Sequence, residues 1–286
     1  EQRIMLKRIL VPLDSSKFTS AAIRMAANIA NREKSREGTE VTLVGLGIVD
    51  TDQLPSGRFS SVVDRDQIIA EAEQEADELI AAFKAEVGKQ GIPNEQIETK
   101  RLSGPPFNLI IRESVFSDLI VMGEKCSFPP VNQDYETMHN LYHVASRPII
   151  LADHSIKRVE TVVMAMDGTA PSSRMMYDYV HANPFPKSRM VLTYSRAEVE
   201  EFNLENYFER VEEFLTSYGL NVGTHPIEED MEQEIGGVIE KENAQLLALG
   251  VHKDHFLSWF SDPLKIRQNF ATRLLRSTST SLFVVH

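Results

Sequence analysis

Two patterns of apolar and polar residues alternate along the chain. Short runs of consecutive apolar residues predict buried strands, and longer segments with apolar residues every three or four positions predict amphipathic helices. In the first half, we predict strands near residues 8–13, 41–48, 97–102, 118–122 and 148–152. We predict helices near residues 17–32, 65–90, 106–115 and 134–145. Continuous apolar strands that alternate with helices are typical of a parallel sheet covered on both faces.

The second half repeats the pattern of the first. Its predicted strands lie near residues 161–166, 188–194, 221–226, 245–249 and 281–285. Its predicted helices lie near residues 171–182, 196–218, 231–242 and 262–276. Three pairs of sequence landmarks occur in the same order: "ILVPLDSS" with "VVMAMDGT", "SDLIVMG" with "AQLLALG", and "SRPIILAD" with "STSLFVVH". Landmarks that recur in order indicate a tandem duplication.

These patterns predict an α/β protein with two tandem doubly wound parallel-sheet domains. We place the domains at residues 1–154 and 155–286, joined by a short polar linker near residues 153–160. Two short-linked copies are expected to pack together as a pair related by a pseudo-two-fold axis.

Composition narrows the classes of protein that fit. The chain has 286 residues, 42% of them apolar, and a formal net charge of −12. This acidity argues against a nucleic-acid or anionic membrane surface, because phosphate binding needs clustered Lys and Arg. Cys126 is the only cysteine, which excludes an intrachain disulfide and fits a reducing compartment. No stretch approaches the ~20 apolar residues of a membrane span. We expect a cytoplasmic protein without a membrane span.

Several of these landmarks resemble the universal stress protein family in its tandem two-domain form. The resemblance rests on "ILVPLDSS", "VVMAMDGT", "GPPFNLII", "SDLIVMG" and "RPIILA". It implies an adenine nucleotide alpha hydrolase-like fold and a role in stress response. It also implies intramolecular pairing of the two halves or a homodimer, and a family divided into ATP-binding and non-binding members.

The resemblance further implies where a nucleotide would bind. Asp14 and Asp167, each at the end of its domain's first strand, would meet adenine, because a carboxylate there can accept the exocyclic amine. The alternative is that each Asp caps the helix that follows. Gly123 and Gly250 would begin the two phosphate loops. Gly104 lies in a turn of the family's type.

Both phosphate loops depart from the family pattern. The second glycine is replaced by Cys126 in the first half and by Lys253 in the second, and the later Gly-Ser pair is missing from both. A Cβ at such positions blocks the close approach of the backbone to phosphate. Glu124 would repel a phosphate, whereas Lys125 could neutralise one as a point charge. We therefore expect no cofactor, and a binding or regulatory protein rather than an enzyme. The alternative is an ATP or AMP sensor that uses the first half, with weak ATPase activity.

Three other features could carry chemistry. Glu136, His139 and His143 share a helix face at i+3 and i+4 spacing, which can hold a metal ion; a metal-binding protein or enzyme is a second alternative. Cys126 next to Lys125 could sense oxidants, although a small residue that fills space is the simpler interpretation. The aromatic stretch Phe256–Phe260 could pack inside the protein or meet an unknown protein partner or small ligand.

Overall fold

The computed structural model describes residues 6–38, 40–51, 62–130, 135–136, 141, 145–201, 206–228, 231–251 and 280–286. These residues form two compact units. One consists mostly of residues up to 157, and the other consists mostly of residues from 158 onward. The domain boundary after residue 154 stays a prediction.

The first unit is built on a five-stranded sheet. Its strands are β1 (Arg8–Leu13), β2 (Thr42–Asp50), β3 (Ile97–Gly104), β4 (Leu119–Gly123) and β7 (Ile149–Ala152). The order in space is β3-β2-β1-β4-β7, and β1 is parallel to both β2 and β4. Two short strands, β5 (Lys125–Cys126) and β6 (Tyr135–Glu136), form a separate antiparallel pair.

The helices of the first unit pack on this sheet through small residues. They are α1 (Thr19–Glu37), α2 (Val62–Lys89) and α3 (Pro106–Ser114), with a 3-10 turn at Asn94–Gln96. Ala72, Ala76 and Phe83 form the fully buried face of α2. A Cβ on Gly45 of β2 would lie 2.6 Å from the Phe83 ring, so glycine on the strand lets the long helix approach closely. Helix α1 ends at Gly38, whose φ of 66° suits glycine and whose N–H donates to the carbonyl of Lys34.

The second unit has a sheet of the same order. Its strands are β8 (Thr161–Ala165), β9 (Arg189–Thr193), β10 (Asn221–Thr224), β11 (Leu246–Gly250) and β12 (Ser281–Val285). They are arranged β10-β9-β8-β11-β12, and all neighbours are parallel. Numbered within its own unit, each sheet therefore has the order 3-2-1-4-5, which is a doubly wound topology. The predicted fold class is confirmed.

The helices of the second unit are α4 (Ala170–Ala182), α5 (Arg196–Glu201), α6 (Tyr207–Ser217) and α7 (Met231–Lys241). The single helix predicted over residues 196–218 is wrong. Asn206 has φ 60° and ψ 1°, a left-handed conformation that a continuous helix excludes and that Asn adopts more readily than most residues. The helix predicted near 134–145 is wrong at its start, because Tyr135–Glu136 form strand β6, and Glu136 therefore does not share a helix face with His139 and His143. The rest of that segment lies mostly outside the described residues, and the helix predicted near 262–276 lies entirely outside them. No helix in the described part of the chain is long and apolar enough to cross a membrane.

Two glycines of the second unit should respond in opposite ways to alanine. A Cβ on Gly236, inside α7, would meet nothing within 4 Å, so Gly236→Ala should raise the free energy of unfolding by about 1 kcal/mol through helix propensity. A Cβ on Gly250 would lie 2.4 Å from the backbone of Pro171 and Ser172, so Gly250→Ala should lower it by about 1–3 kcal/mol. Urea unfolding measures both values, and equal shifts would contradict this packing.

Candidate functional site

The candidate site lies where the chain changes direction across the first sheet. Strands β4 and β2 flank β1 on opposite sides, so the crevice outside the carboxyl ends of β1 and β4 is the switch point at which doubly wound proteins bind ligands. Asp14 directly follows β1, and Gly123 is the last residue of β4. The fold therefore brings together two of the residues that the sequence singles out.

Asp14 is buried, with only 1% of its surface exposed. Its Oδ1 accepts hydrogen bonds from the N–H of Ser16 (2.7 Å) and from the N–H of Ser127 (3.2 Å). Its Oδ2 is also buried and has no hydrogen-bond partner among the described residues. Burial raises the pKa of the Asp14 carboxyl, and the hydrogen bonds from Ser16, Thr19 and Ser127 oppose that shift without cancelling it. Burial thus disfavours the ionised form of Asp14 relative to an exposed carboxylate.

A stretch of backbone crosses the carboxyl ends of three strands. We call Lys125–Pro130 the crossing segment. The Ser16 hydroxyl donates to the carbonyl of Lys125 (3.2 Å) at its beginning, and the Ser15 N–H donates to the carbonyl of Ser127 (2.9 Å) in its middle. The Asp50 N–H, at the end of β2, donates to the carbonyl of Pro129 (2.7 Å). The segment therefore leaves β4, passes the end of β1 and reaches β2.

Phe128 anchors the crossing segment in the crevice. Its side chain is 1% exposed, and its ring packs edge to face with the ring of Phe107 in the first turn of α3, with centroids 6.3 Å apart. Before that turn, Gly104 ends β3 with φ 150°, a conformation that favours glycine. The Gly104 turn thus places α3 so that Phe107 covers Phe128.

Gly123 has a packing role in this structure. A Cβ at this position would lie 2.4 Å from the Cβ of Phe18 and 2.8 Å from the carbonyl oxygen of Lys125. Phe18 is 5% exposed and precedes α1, and its ring meets the ring of His154 edge to face at 5.5 Å. Phe18 therefore occupies the space that a side chain at position 123 would need. This packing explains the glycine without a bound phosphate.

Charges of both signs lie near Gly123. Burial, followed by the nearby charge of Asp153, raises the pKa of the Glu124 carboxyl, while Lys125 acts in the opposite direction. The Asp153 Oδ1 already accepts the N–H of Ser155 at 2.8 Å. A phosphate placed here would meet these two carboxyl groups, with Lys125 and Lys17 as the opposing positive charges.

In the second unit, Asp167 accepts hydrogen bonds within the turn that precedes α4. Its Oδ1 accepts the N–H of Thr169 (3.0 Å) and the hydroxyl of Thr169 (2.6 Å), and Thr169 caps α4 by accepting from the N–H of Ser172. Gly250 lies against the first turn of α4 so closely that a Cβ would meet its backbone at 2.4 Å. Asp167 and Gly250 thus support the start of α4.

Aromatic residues that sequence reasoning missed follow β9 and begin α6. The Tyr194 ring stacks on the Phe208 ring at 4.0 Å with a 4° interplanar angle, and the Tyr207 hydroxyl lies 3.2 Å from the Ser173 hydroxyl. This contact joins the first turns of α6 and α4. The break between α5 and α6 at Asn206 places these rings. The apolar pattern of residues 196–218 is that of one long helix and does not reveal this break.

Other candidate residues fall outside the description or are buried. His139, His143, the side chain of Glu136 and the stretch 256–260 lie outside the described residues, and Lys253 does as well. Within the described ranges, no group of three or more His, Cys, Asp or Glu side chains is placed to hold a metal ion. Cys126 is fully buried in β5, an environment typical of a residue that packs rather than reacts.

Comparison with known proteins identifies the family of the first half. Residues 5–126 match the model of the Universal stress protein family. The first half of the chain therefore belongs to that family, which confirms the resemblance seen in the sequence. No curated protein matches the chain.

Solved structures share the fold over almost the whole chain. A universal stress protein from Archaeoglobus fulgidus DSM 4304 is 15% identical, covers 99% of this chain and 97% of its own, and has a TM-score of 0.68. A functionally unknown protein from Pseudomonas aeruginosa PAO1 is 14% identical, with coverages of 98% and 92% and a TM-score of 0.54. A putative universal stress protein from Pseudomonas aeruginosa UCBPP-PA14 is 13% identical, with coverages of 98% and 93% and a TM-score of 0.52. At these identities the likeness shows the fold, and the pairing of the two halves stays a prediction.

The raised pKa of Asp14 predicts a pH-dependent stability. A carboxyl whose folded pKa is raised contributes stability that is fully present below its unfolded pKa of about 3.9 and is lost as pH rises through the folded value. Asp14→Asn is neutral at every pH and should lack this loss. Relative to the natural protein, the variant should therefore gain free energy of unfolding as pH rises through that window. Urea unfolding across a pH series measures the difference, and a difference that grows as pH falls would contradict the assignment.

Proposed function

We propose that this protein is a tandem universal stress protein that acts by binding or regulation in a stress response, and that its first half does not hold ATP in the manner of the family's nucleotide binders. The identical strand order of the two units and the three pairs of sequence landmarks support the tandem form. The single observation that carries the proposal is the crossing segment, which fills the crevice with the protein's own chain.

The crossing segment occupies space that a bound base would need. Phe128 is buried against Phe107, while Ser127 and Pro129 are hydrogen-bonded to the turn after β1 and to the end of β2. A base placed over the carboxyl ends of β1 and β2 would have to displace this backbone. Displacement would also expose the Phe128 side chain, and exposing a buried aromatic side chain costs about 2 kcal/mol or more.

Asp14 already accepts a hydrogen bond from the crossing segment. In the family's binders, the residue matching Asp14 would accept the exocyclic amine of adenine. Here the backbone N–H of Ser127 already donates to the Asp14 Oδ1. The protein thus supplies from its own backbone a donor of the type that the base would bring.

The loop after β4 lacks the features that the family's nucleotide binders use for phosphate. Cys126 replaces a loop glycine, and Phe18 takes the space beside Gly123. The carboxyl groups of Glu124 and Asp153 lie at the same edge, where they disfavour a triphosphate. Lys125 and Lys17 offer compensating charges. We infer that the function is binding rather than turnover, with no nucleotide cofactor required.

One observation favours the rival function of an ATP or AMP sensor. The Asp14 Oδ2 is buried without a hydrogen-bond partner among the described residues, so it could accept a donor from a ligand. A metal-dependent function through His139 and His143 stays a prediction from sequence.

Calorimetric titration of chelator-treated protein with magnesium ATP, and separately with AMP, tests the proposal. We expect no saturable heat at ligand concentrations up to about 1 mM, the range in which binding energies fall to about −4 kcal/mol. Asp14→Asn and Asp167→Asn serve as matched variants of the two halves, and their folding is verified by thermal unfolding.

The proposal fails if the natural protein binds nucleotide saturably and Asp14→Asn abolishes that binding while Asp167→Asn keeps it. This result would instead establish the sensor function and assign it to the first half.

A further inference from the structure

A groove separate from the crevice runs along α7 in the second unit. Its volume is about 360 Å³, enough for a small organic molecule. One wall is the chain that follows β10, from His225 to Glu228, and the other is the face of α7 that carries Gly237 and Lys241. We call this cavity the α7 groove.

A chain of charged groups fixes the imidazole of His225 at one end of the α7 groove. The two carboxylate oxygens of Glu242 are taken by the Arg189 guanidinium (2.7 Å) and by the His225 Nδ1 (2.6 Å). These contacts lower the pKa of Glu242, so it is ionised. Because Glu242 accepts at Nδ1, that nitrogen carries a proton, and the Nε2 of His225 is the ring nitrogen left for other contacts.

Lys241 gives this end of the groove a positive charge. Its Nζ lies 3.4 Å from the His225 Nε2, and among the described residues it makes no ion pair with a carboxylate. The negative charge of Glu242 is balanced by Arg189. One N–H of the Lys241 ammonium is directed to the His225 Nε2, and its other two N–H groups remain available to an anion.

The rest of the groove has polar as well as apolar walls, with Gln233 and Glu234 of α7 beside Ile227, Val238 and Gly237. Ile227 and Val238 are buried beneath it, and Gly237 leaves the helix surface bare. Two consecutive glycines, Gly236 and Gly237, weaken a helix, yet an added Cβ on either would meet nothing within 4 Å. Contacts within the protein thus do not explain why position 237 is a glycine, whereas an open groove does. At the far end, Glu228 is paired with Arg196 at 3.2 Å.

We propose that the α7 groove binds a small organic anion. Its phosphate or carboxylate head accepts hydrogen bonds from the Lys241 ammonium beside His225, and its apolar body lies along Ile227, Val238 and the bare surface of Gly237. The site belongs to the second unit and does not depend on the state of the crevice around Asp14.

Backbone NMR of the full-length protein, titrated with phenyl phosphate and with benzoate, tests this assignment. Benzyl alcohol, which has the same ring without a charge, is the matched neutral probe. We expect saturable shift changes centred on His225, Gly237 and Lys241 with at least one anion, and none there with the alcohol. The stronger of the two anions identifies the head group.

Three variants sharpen the test. Lys241→Gln should weaken the affinity by about tenfold, the effect of losing one charge-assisted hydrogen bond. Gly237→Ala should weaken it because the methyl group enters the groove. Gly236→Ala should leave it unchanged because Gly236 does not line the groove. Both alanine variants should raise the midpoint of thermal unfolding, so loss of binding in Gly237→Ala cannot be ascribed to unfolding.

The proposal is overturned if neither anion shifts these residues, if benzyl alcohol shifts them equally, or if Lys241→Gln binds as tightly as the natural protein. Equal weakening by Gly236→Ala and Gly237→Ala would also overturn it, because the effect would then belong to the helix and not to the groove.

Discussion

The hydrogen bonds that Ser127 makes with the turn after β1 fix the crossing segment on the first sheet. Its N–H donates to Asp14 and its carbonyl accepts from Ser15, so one peptide on each side of Ser127 is fixed against the end of β1. These bonds hold the backbone that carries Phe128 into the crevice. Without them, a buried Asp14 would lose one of its donors, and the crevice at the switch point would be open to solvent or to a ligand.

The burial of Asp14 is consistent with its role as a support for the crossing segment. A buried ionised carboxylate needs several donors, and here only one of the two oxygens has them. The raised pKa of the Asp14 carboxyl reflects this cost of burial. The same group that would recognise a base in a nucleotide binder thus serves as a support for the crossing segment. In the second unit Asp167 supports Thr169 and the start of α4, so the matching residues have different partners.

The sequence predicts much of the fold and only part of this site. The strands predicted from the sequence match every described strand of the two sheets, although the edge strands β3 and β10 are not continuous apolar runs. The positions of Asp14 and Gly123 at strand ends follow from the apolar runs of β1 and β4. The replacement of a glycine by Cys126 draws attention to the loop. The path of the crossing segment could not be predicted, because its contacts with Ser15 and Asp50 are backbone hydrogen bonds that any residue can make. Phe128, an apolar residue in a loop, was the available signal. The break at Asn206 and the approach of Lys241 to His225 depend likewise on tertiary structure.

The most direct test of the account is amide hydrogen exchange at Ser15, Asp50 and Ser127. If the crossing segment is an integral part of the fold, these three amides will exchange about as slowly as those in the middle of β1 and β2, and magnesium ATP will not change their rates. Rapid exchange typical of an exposed loop, or a change in rate when magnesium ATP is added, would contradict the claim that the protein's own chain fills the crevice.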